Sequence, residues 1–172
     1  MQSDILAITM GDPAGIGPEV ALRSLERPLP HGVVPLLYGS VEIARACQRA
    51  LGVAPDHTIV CVDSLYDLPR DEHTIGVWET PTPWHGEVIA GALDGRCARI
   101  QYEALTQAIA HARADEVMAI CTAPWTKEAF RLASMPAVGH TEVLADAFDA
   151  RDHQYARACT EQCVFFRRLR RR

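Results

Sequence analysis

Apolar residues fall into short continuous runs, separated by stretches with helical spacing. Ile5-Leu6-Ala7-Ile8, Val33 to Gly39, Thr58 to Val62, Thr74 to Trp78 and Glu116 to Thr122 each read as a strand, the first two buried and the last a continuous run typical of a parallel strand covered on both faces. Val20 to Leu25 reads as a helix. Ser40 is placed to cap a second helix through about Leu51, with Val41, Ile43, Ala44, Cys47 and Leu51 on one face and Gly52 ending it. A long helix is expected from about Gly95 to Ala112, buried along Cys97, Ile100, Leu105, Ala108 and Ile109. Two shorter helices follow, one after Ala123-Pro124 to about Ser134 and one from Gly139-His140 to about Asp149. Asp63 to Glu72 reads as a polar loop, and the proline-interrupted Thr80 to Glu87 as an exposed connection. Strands and helices alternating at this length predict an α/β sheet with helices on both faces.

The loop after the first strand, Gly11-Asp12-Pro13-Ala14-Gly15-Ile16-Gly17-Pro18-Glu19, has its shape restricted by glycine and proline. Pro18 suits a first helical turn, and Glu19 beside it is favoured by the helix dipole. Strand, glycine loop and helix N-terminus in succession can present backbone N–H groups to an anion. The same residues can equally form a tight turn with no ligand. The spacing matches neither G-x-G-x-x-G nor a P-loop.

The 172 residues suffice for one domain with a core, and 48% apolar with 23% charged content is that of an ordinary globular chain. A net charge of −5 argues against general nucleic-acid binding. No apolar run approaches the ~18 residues that span a bilayer. Met1-Gln2-Ser3-Asp4 has no basic leader, so a cytoplasmic location is expected. Cys47, Cys61, Cys97 and Cys121 lie in apolar patterns and are expected as buried free thiols, while Cys159 and Cys163 lack a second ligand pair for zinc.

Ligands in open α/β sheets gather at the carboxyl ends of strands. Besides the glycine loop, Thr122-Ala123-Pro124-Trp125-Thr126-Lys127 and Gly139-His140-Thr141-Glu142 occupy such places. Lys127 is the single lysine among 17 Lys and Arg residues. It can meet a phosphate as a point charge, or it can be a solvated helix residue paired with a carboxylate. His140 and Thr141 offer an imidazole and a hydroxyl to one ligand, or they simply open a helix.

Together these stretches resemble one family. Ile8 to Glu19, Thr122 to Ala129 and Gly139-His140-Thr141-Glu142-Val143-Leu144-Ala145 are similar, in the same order, to motifs of the 4-hydroxythreonine-4-phosphate dehydrogenases. Pro83-Trp84-His85-Gly86-Glu87 matches more loosely. The resemblance implies a three-layer α/β/α sheet of the isocitrate-dehydrogenase type, of which this chain is the N-terminal portion. It implies NAD-dependent oxidation, with decarboxylation, of 4-phosphohydroxy-L-threonine to 3-amino-2-oxopropyl phosphate in pyridoxal phosphate synthesis. It also implies a divalent metal (Zn, Mg or Co) and a homodimer. Carried over, His140 and Thr141 match a substrate-binding pair, and Asp12 and Lys127 fall in motifs near the cleft. No catalytic residue is assigned. Relatives acting on 4-phosphorylated threonate or erythronate share these motifs, and a non-catalytic phosphate-binding fragment is a further alternative.

The resemblance runs from about Ile5 to His153 and then stops. The family's metal-binding histidines, its later substrate-binding residues and most of its nucleotide site lie beyond that point, so no metal ligand is assigned here. Residues 1–153 are expected to be the α/β portion. Residues 154–172, ending Val164-Phe165-Phe166-Arg167-Arg168-Leu169-Arg170-Arg171-Arg172, read as a divergent, disordered tail. An out-of-frame continuation or early termination near residue 153 would give such a tail. The rival is a basic arm for nucleic acid or an acidic partner, a weak signal without interleaved aromatics. The chain alone is expected to bind a phosphorylated small molecule but to be inactive.

Overall fold

The computed structural model describes residues 4–136 and 139–148, and the backbone of residues 164–166. The strands are β1 (Ile5–Thr9), β2 (Val34–Gly39), β3 (Thr58–Cys61), β4 (Thr74–Glu79), β5 (Ala119–Thr122) and β6 (Val164–Phe166). The helices are α1 (Gly17–Leu25), α2 (Val41–Leu51), α3 (Gly95–Arg113), α4 (Lys127–Leu132) and α5 (His140–Ala147). The sheet order is β3-β4-β2-β1-β5-β6, parallel throughout except for β6, which runs antiparallel to β5.

Alternation along β1 divides the core. Ile5 and Ala7 join Leu36, Tyr38, Leu105, Ala108, Ile109 and Leu144 under α3 and α5. Ile8 and Met10 join Leu22, Leu25, Leu37, Ala44 and Val77 under α1 and α2. The central strands β1 and β2 therefore face apolar partners on both sides, which is why they read as near-continuous hydrophobic runs. The three-layer α/β/α arrangement is the expected one.

Several local expectations are corrected. Ser40 occupies the N-cap of α2, but its side chain makes no capping bond. Glu79, at the end of β4, instead accepts the Val41 N–H at 2.8 Å. A carboxylate brought in from another strand satisfies the helix terminus better than a local hydroxyl. The connection after β4 is not exposed. Trp84 is only 4% exposed and packs with Ala14, Ile43, Cys97 and Ile100. Its indole N–H donates to the Gly86 carbonyl, and the Arg96 guanidinium lies 4.6 Å over its ring. Glu103 on α3 accepts both the N–H and the hydroxyl of Thr82, pinning the same segment to the helix.

Of the cysteines expected to be buried, only Cys97 is so among the described residues; Cys47 and Cys121 are half-buried and Cys61 is exposed. Cys61 is the last residue of the edge strand β3, which has no neighbouring strand along one side. Cys159, Cys163, His153 and most of the Arg-rich tail lie outside the described residues. Within that tail, Val164–Phe166 form β6, an element the sequence pattern did not predict.

Candidate functional site

The strand order fixes where a ligand site belongs. From β1 the chain steps to β2 on one side; after β4, the long helix α3 carries it back across the sheet to lay β5 on the other side of β1. The direction of winding reverses between β1 and β5, and the carboxyl ends of those strands flank the resulting crevice. The glycine loop follows β1, and the turn bearing Pro124, Trp125 and Lys127 follows β5. The two loops thus come to the carboxyl end of the sheet.

At its base the crevice is closed by the two loops themselves. Asp12 N–H donates to the Pro124 carbonyl at 2.9 Å. Gly11 has φ +68°, and a Cβ there would overlap the Pro124 carbonyl oxygen; a Cβ on Gly17 would overlap the Met10 carbonyl oxygen. Asp12 is buried, and its carboxylate accepts the Ala14 N–H at 2.9 Å, while Gly15 N–H donates to the Asp12 carbonyl. The N–H groups of residues 12, 14 and 15 are therefore spent inside the fold, and the glycines serve close backbone approach. This is the tight-turn use of the loop.

Cys97 lies beside Asp12, and burial, reinforced by that carboxylate, pushes its thiol up to about 12. It is an inert core group.

The polar site lies farther out, where α4 and α5 begin. His140, the first residue of α5, stacks on Trp125 with ring centroids 4.0 Å apart and planes 22° from parallel. Its Nε2 is shielded from solvent and has no hydrogen-bond partner among the described residues. Burial pushes the imidazole down to about 4, with Glu142 opposing and Lys127 adding in smaller measure. The ring is neutral at pH 7.

Lys127 Nζ stands 4.0 Å from a Glu142 carboxylate oxygen, and both side chains are more than half exposed. Such a pair contributes little to stability and leaves the ammonium open to another anion. A Cβ at Gly139 would meet the Glu142 carboxylate and the Lys127 stem, both ends of exposed side chains that can swing aside. Thr141 is exposed on the first turn of α5.

Trp125, Glu142 and Gln101 were not singled out in the sequence. Gln101 Oε1 accepts the Thr126 N–H at 2.9 Å and so fixes the turn that carries Trp125 and Lys127. Its signal is a polar residue on the buried face of α3, four positions after Cys97 and four before Leu105. A separate groove of about 550 Å³ between α3 and α5 is lined by Tyr102, Ile109, Met135, Glu142, Val143 and Ala147, among others. None of Asp12, Lys127, His140 and Thr141 lines it.

Residues 32–165 match the family described as "Pyridoxal phosphate biosynthetic protein PdxA". The chain belongs to the PdxA family. The match continues past residue 153, where the motif resemblance ends. A D-threonate 4-phosphate dehydrogenase from Pectobacterium atrosepticum is 35% identical over 151 residues, covering 88% of this chain and 46% of that protein. Among solved structures, a 4-hydroxythreonine-4-phosphate dehydrogenase from Burkholderia phymatum superimposes with TM-score 0.78 at 26% identity, covering 86% of this chain and 44% of that one. The enzyme of that name from Klebsiella pneumoniae gives TM-score 0.74 at 30% identity, over 86% and 45%. The chain spans a little under half the length of these PdxA relatives.

Among the described residues, no three His, Cys, Asp or Glu side chains gather where a metal ion could be held. The divalent metal that the family resemblance implies has no fitting ligand set there. Among the same residues, no helix is long and apolar enough to cross a membrane.

Proposed function

We propose that this chain is the N-terminal portion of an NAD-dependent dehydrogenase that oxidises 4-phosphohydroxy-L-threonine, with decarboxylation, to 3-amino-2-oxopropyl phosphate. Its own part is to bind the phosphorylated hydroxy acid at the start of α5. The observation that carries this reading is the shielded, unpartnered Nε2 of a neutral His140 beside an exposed ammonium. A neutral imidazole can donate from one nitrogen and accept at the other, so it can pair with a substrate hydroxyl or with an anionic oxygen. Lys127 adds a positive charge that strengthens on releasing Glu142, and Thr141 adds a hydroxyl. Hydride acceptance by NAD and polarisation of the alcohol by a divalent metal are the chemistry of the complete enzyme. The residues described here hold neither group, so no step is assigned through them.

A second reading, D-threonate 4-phosphate as substrate, is favoured by the names of several relatives at 31–35% identity. The two compounds differ at the carbon beside the carboxylate, an ammonium in one and a hydroxyl in the other. Titration calorimetry with each, and with inorganic phosphate, separates the readings. Stronger binding of 4-phosphohydroxy-L-threonine supports the first, and stronger binding of D-threonate 4-phosphate the second. Absence of binding by both refutes a substrate role for the chain. NADH formation by the chain alone should be little or none, even with added metal; turnover within a few-fold of a full-length relative would contradict this.

A further inference from the structure

Trp125 enters the sequence as one apolar residue in a turn, yet its surroundings are unusually constrained. The residue before it, Pro124, is held through its carbonyl by Asp12 N–H, from the loop after β1. The residue after it, Thr126, is held through its N–H by Gln101 on α3. The indole packs against Phe130 of α4 with centroids 4.8 Å apart and planes at 54°. Its other contact is the near-parallel stack on His140. The indole is thus fixed from β1, α3 and α4, while the imidazole rides on α5, whose N-cap Gly139 supplies no side-chain bond. The stack on Trp125 lies along the plane of the His140 ring.

We infer that Trp125 is the positioning residue of His140: its indole fixes the imidazole plane and shields one face, delivering the unpartnered Nε2 to the phosphorylated hydroxy acid. The inference rests on the substrate-binding reading of His140. The charged groups facing the imidazole are Glu142 from α5 and Lys127 from α4; they act on it in opposite directions, which leaves desolvation as the dominant influence. An indole laid flat on the ring supplies that desolvation, because it displaces water from the face while offering no charge. Loss of the indole should both free the ring to rotate and let it protonate nearer to neutral pH. A residue that merely fills space in the turn would do neither.

The test is proton NMR of the His140 ring in the wild-type chain and in Trp125→Leu and Trp125→Phe. In the wild type the ring protons should be shifted upfield by the indole and should titrate near 4. In Trp125→Leu the upfield shift should vanish and the titration should move toward the ordinary 6.5. Trp125→Phe keeps an aromatic face and should retain most of both. Calorimetry with 4-phosphohydroxy-L-threonine at pH 7 should show binding about tenfold weaker in the Leu variant and restored to within a few-fold by Phe. Ordinary ring shifts in the wild type, or an unchanged His140 titration in Trp125→Leu, would overturn the inference. The wild-type shifts decide it even if the Leu variant fails to fold. A wild type that binds no substrate refutes the substrate-binding reading instead, and the titration still separates the two questions.

Discussion

Replacing Gly11 with alanine tests the tight-turn account of the glycine loop, because two separable penalties meet at that residue. The first is conformational. Gly11 has φ +68°, and a left-handed conformation costs a non-glycine residue about 1–2 kcal/mol. The second is contact: the new Cβ would overlap the Pro124 carbonyl oxygen, which is backbone and cannot rotate away. Relief requires the loop after β1 to part from the turn after β5, losing the Asp12 N–H bond to Pro124, worth about 1 kcal/mol. The sum is about 2–3 kcal/mol. Gly52 is the internal control. It has φ +61° at the end of α2, with nothing within 4 Å of a built Cβ, so Gly52→Ala carries only the conformational cost. Urea denaturation of both variants, at unchanged m-value, measures the difference directly. Gly11→Ala should lie about 1 kcal/mol below Gly52→Ala, the worth of the lost Asp12–Pro124 bond. Equal losses would refute the packing argument and return the glycine loop to consideration as a ligand cradle.

Other outcomes follow from the same geometry. Glu79→Ala should cost about 1 kcal/mol by uncapping α2, whereas Ser40→Ala should cost a few tenths (roughly), both read by urea midpoint. Trp84→Ala should cost about 3–5 kcal/mol; a loss below about 1 kcal/mol would mean that the 80–87 segment is exposed after all. The folded-state pKa of His140 is lowered from 6.5 to about 4, so its stabilising contribution is fully present above 6.5 and is lost as pH falls toward 4. Between pH 7 and pH 4 the wild type should therefore lose about 3 kcal/mol more than His140→Asn, and parallel pH–stability curves would contradict the burial of that ring.

The layers of the fold were legible because they depend on local pattern. Strands covered on both faces must be apolar throughout, and β1 to β5 all lie within or close to the runs read from the sequence. The α3 stripe was legible for the same reason, since Cys97, Ile100, Leu105, Ala108 and Ile109 recur at helical spacing and all are buried. Tertiary choices were not. Pro81, Pro83 and Gly86 punctuate like an exposed loop, but docking of Trp84 against α2 and α3 overrides that local signal. Ser40 has the right identity for a cap, and only the pairing of β2 with β4 brings the stronger acceptor Glu79 within reach.

The candidate site shows the same division. His140, Thr141, Lys127 and Asp12 stood out by type and position, and the crossover of α3 brings their loops to one end of the sheet. Asp12 faces into its own loop, and Lys127 pairs loosely with Glu142. That Trp125 would lie flat on a ring fifteen positions later depends on how α4 and α5 pack, which no single-chain periodicity encodes. Gln101 left a faint trace, as the polar member of a buried stripe.

The most direct test of the central claim is residue-resolved NMR of the chain titrated with 4-phosphohydroxy-L-threonine. The account predicts saturable shifts centred on His140, Thr141 and Lys127, carried to the Trp125 indole through the stack, with the backbone amides of residues 11–17 little changed. Shifts centred on residues 11–17, or none that saturate, would contradict it.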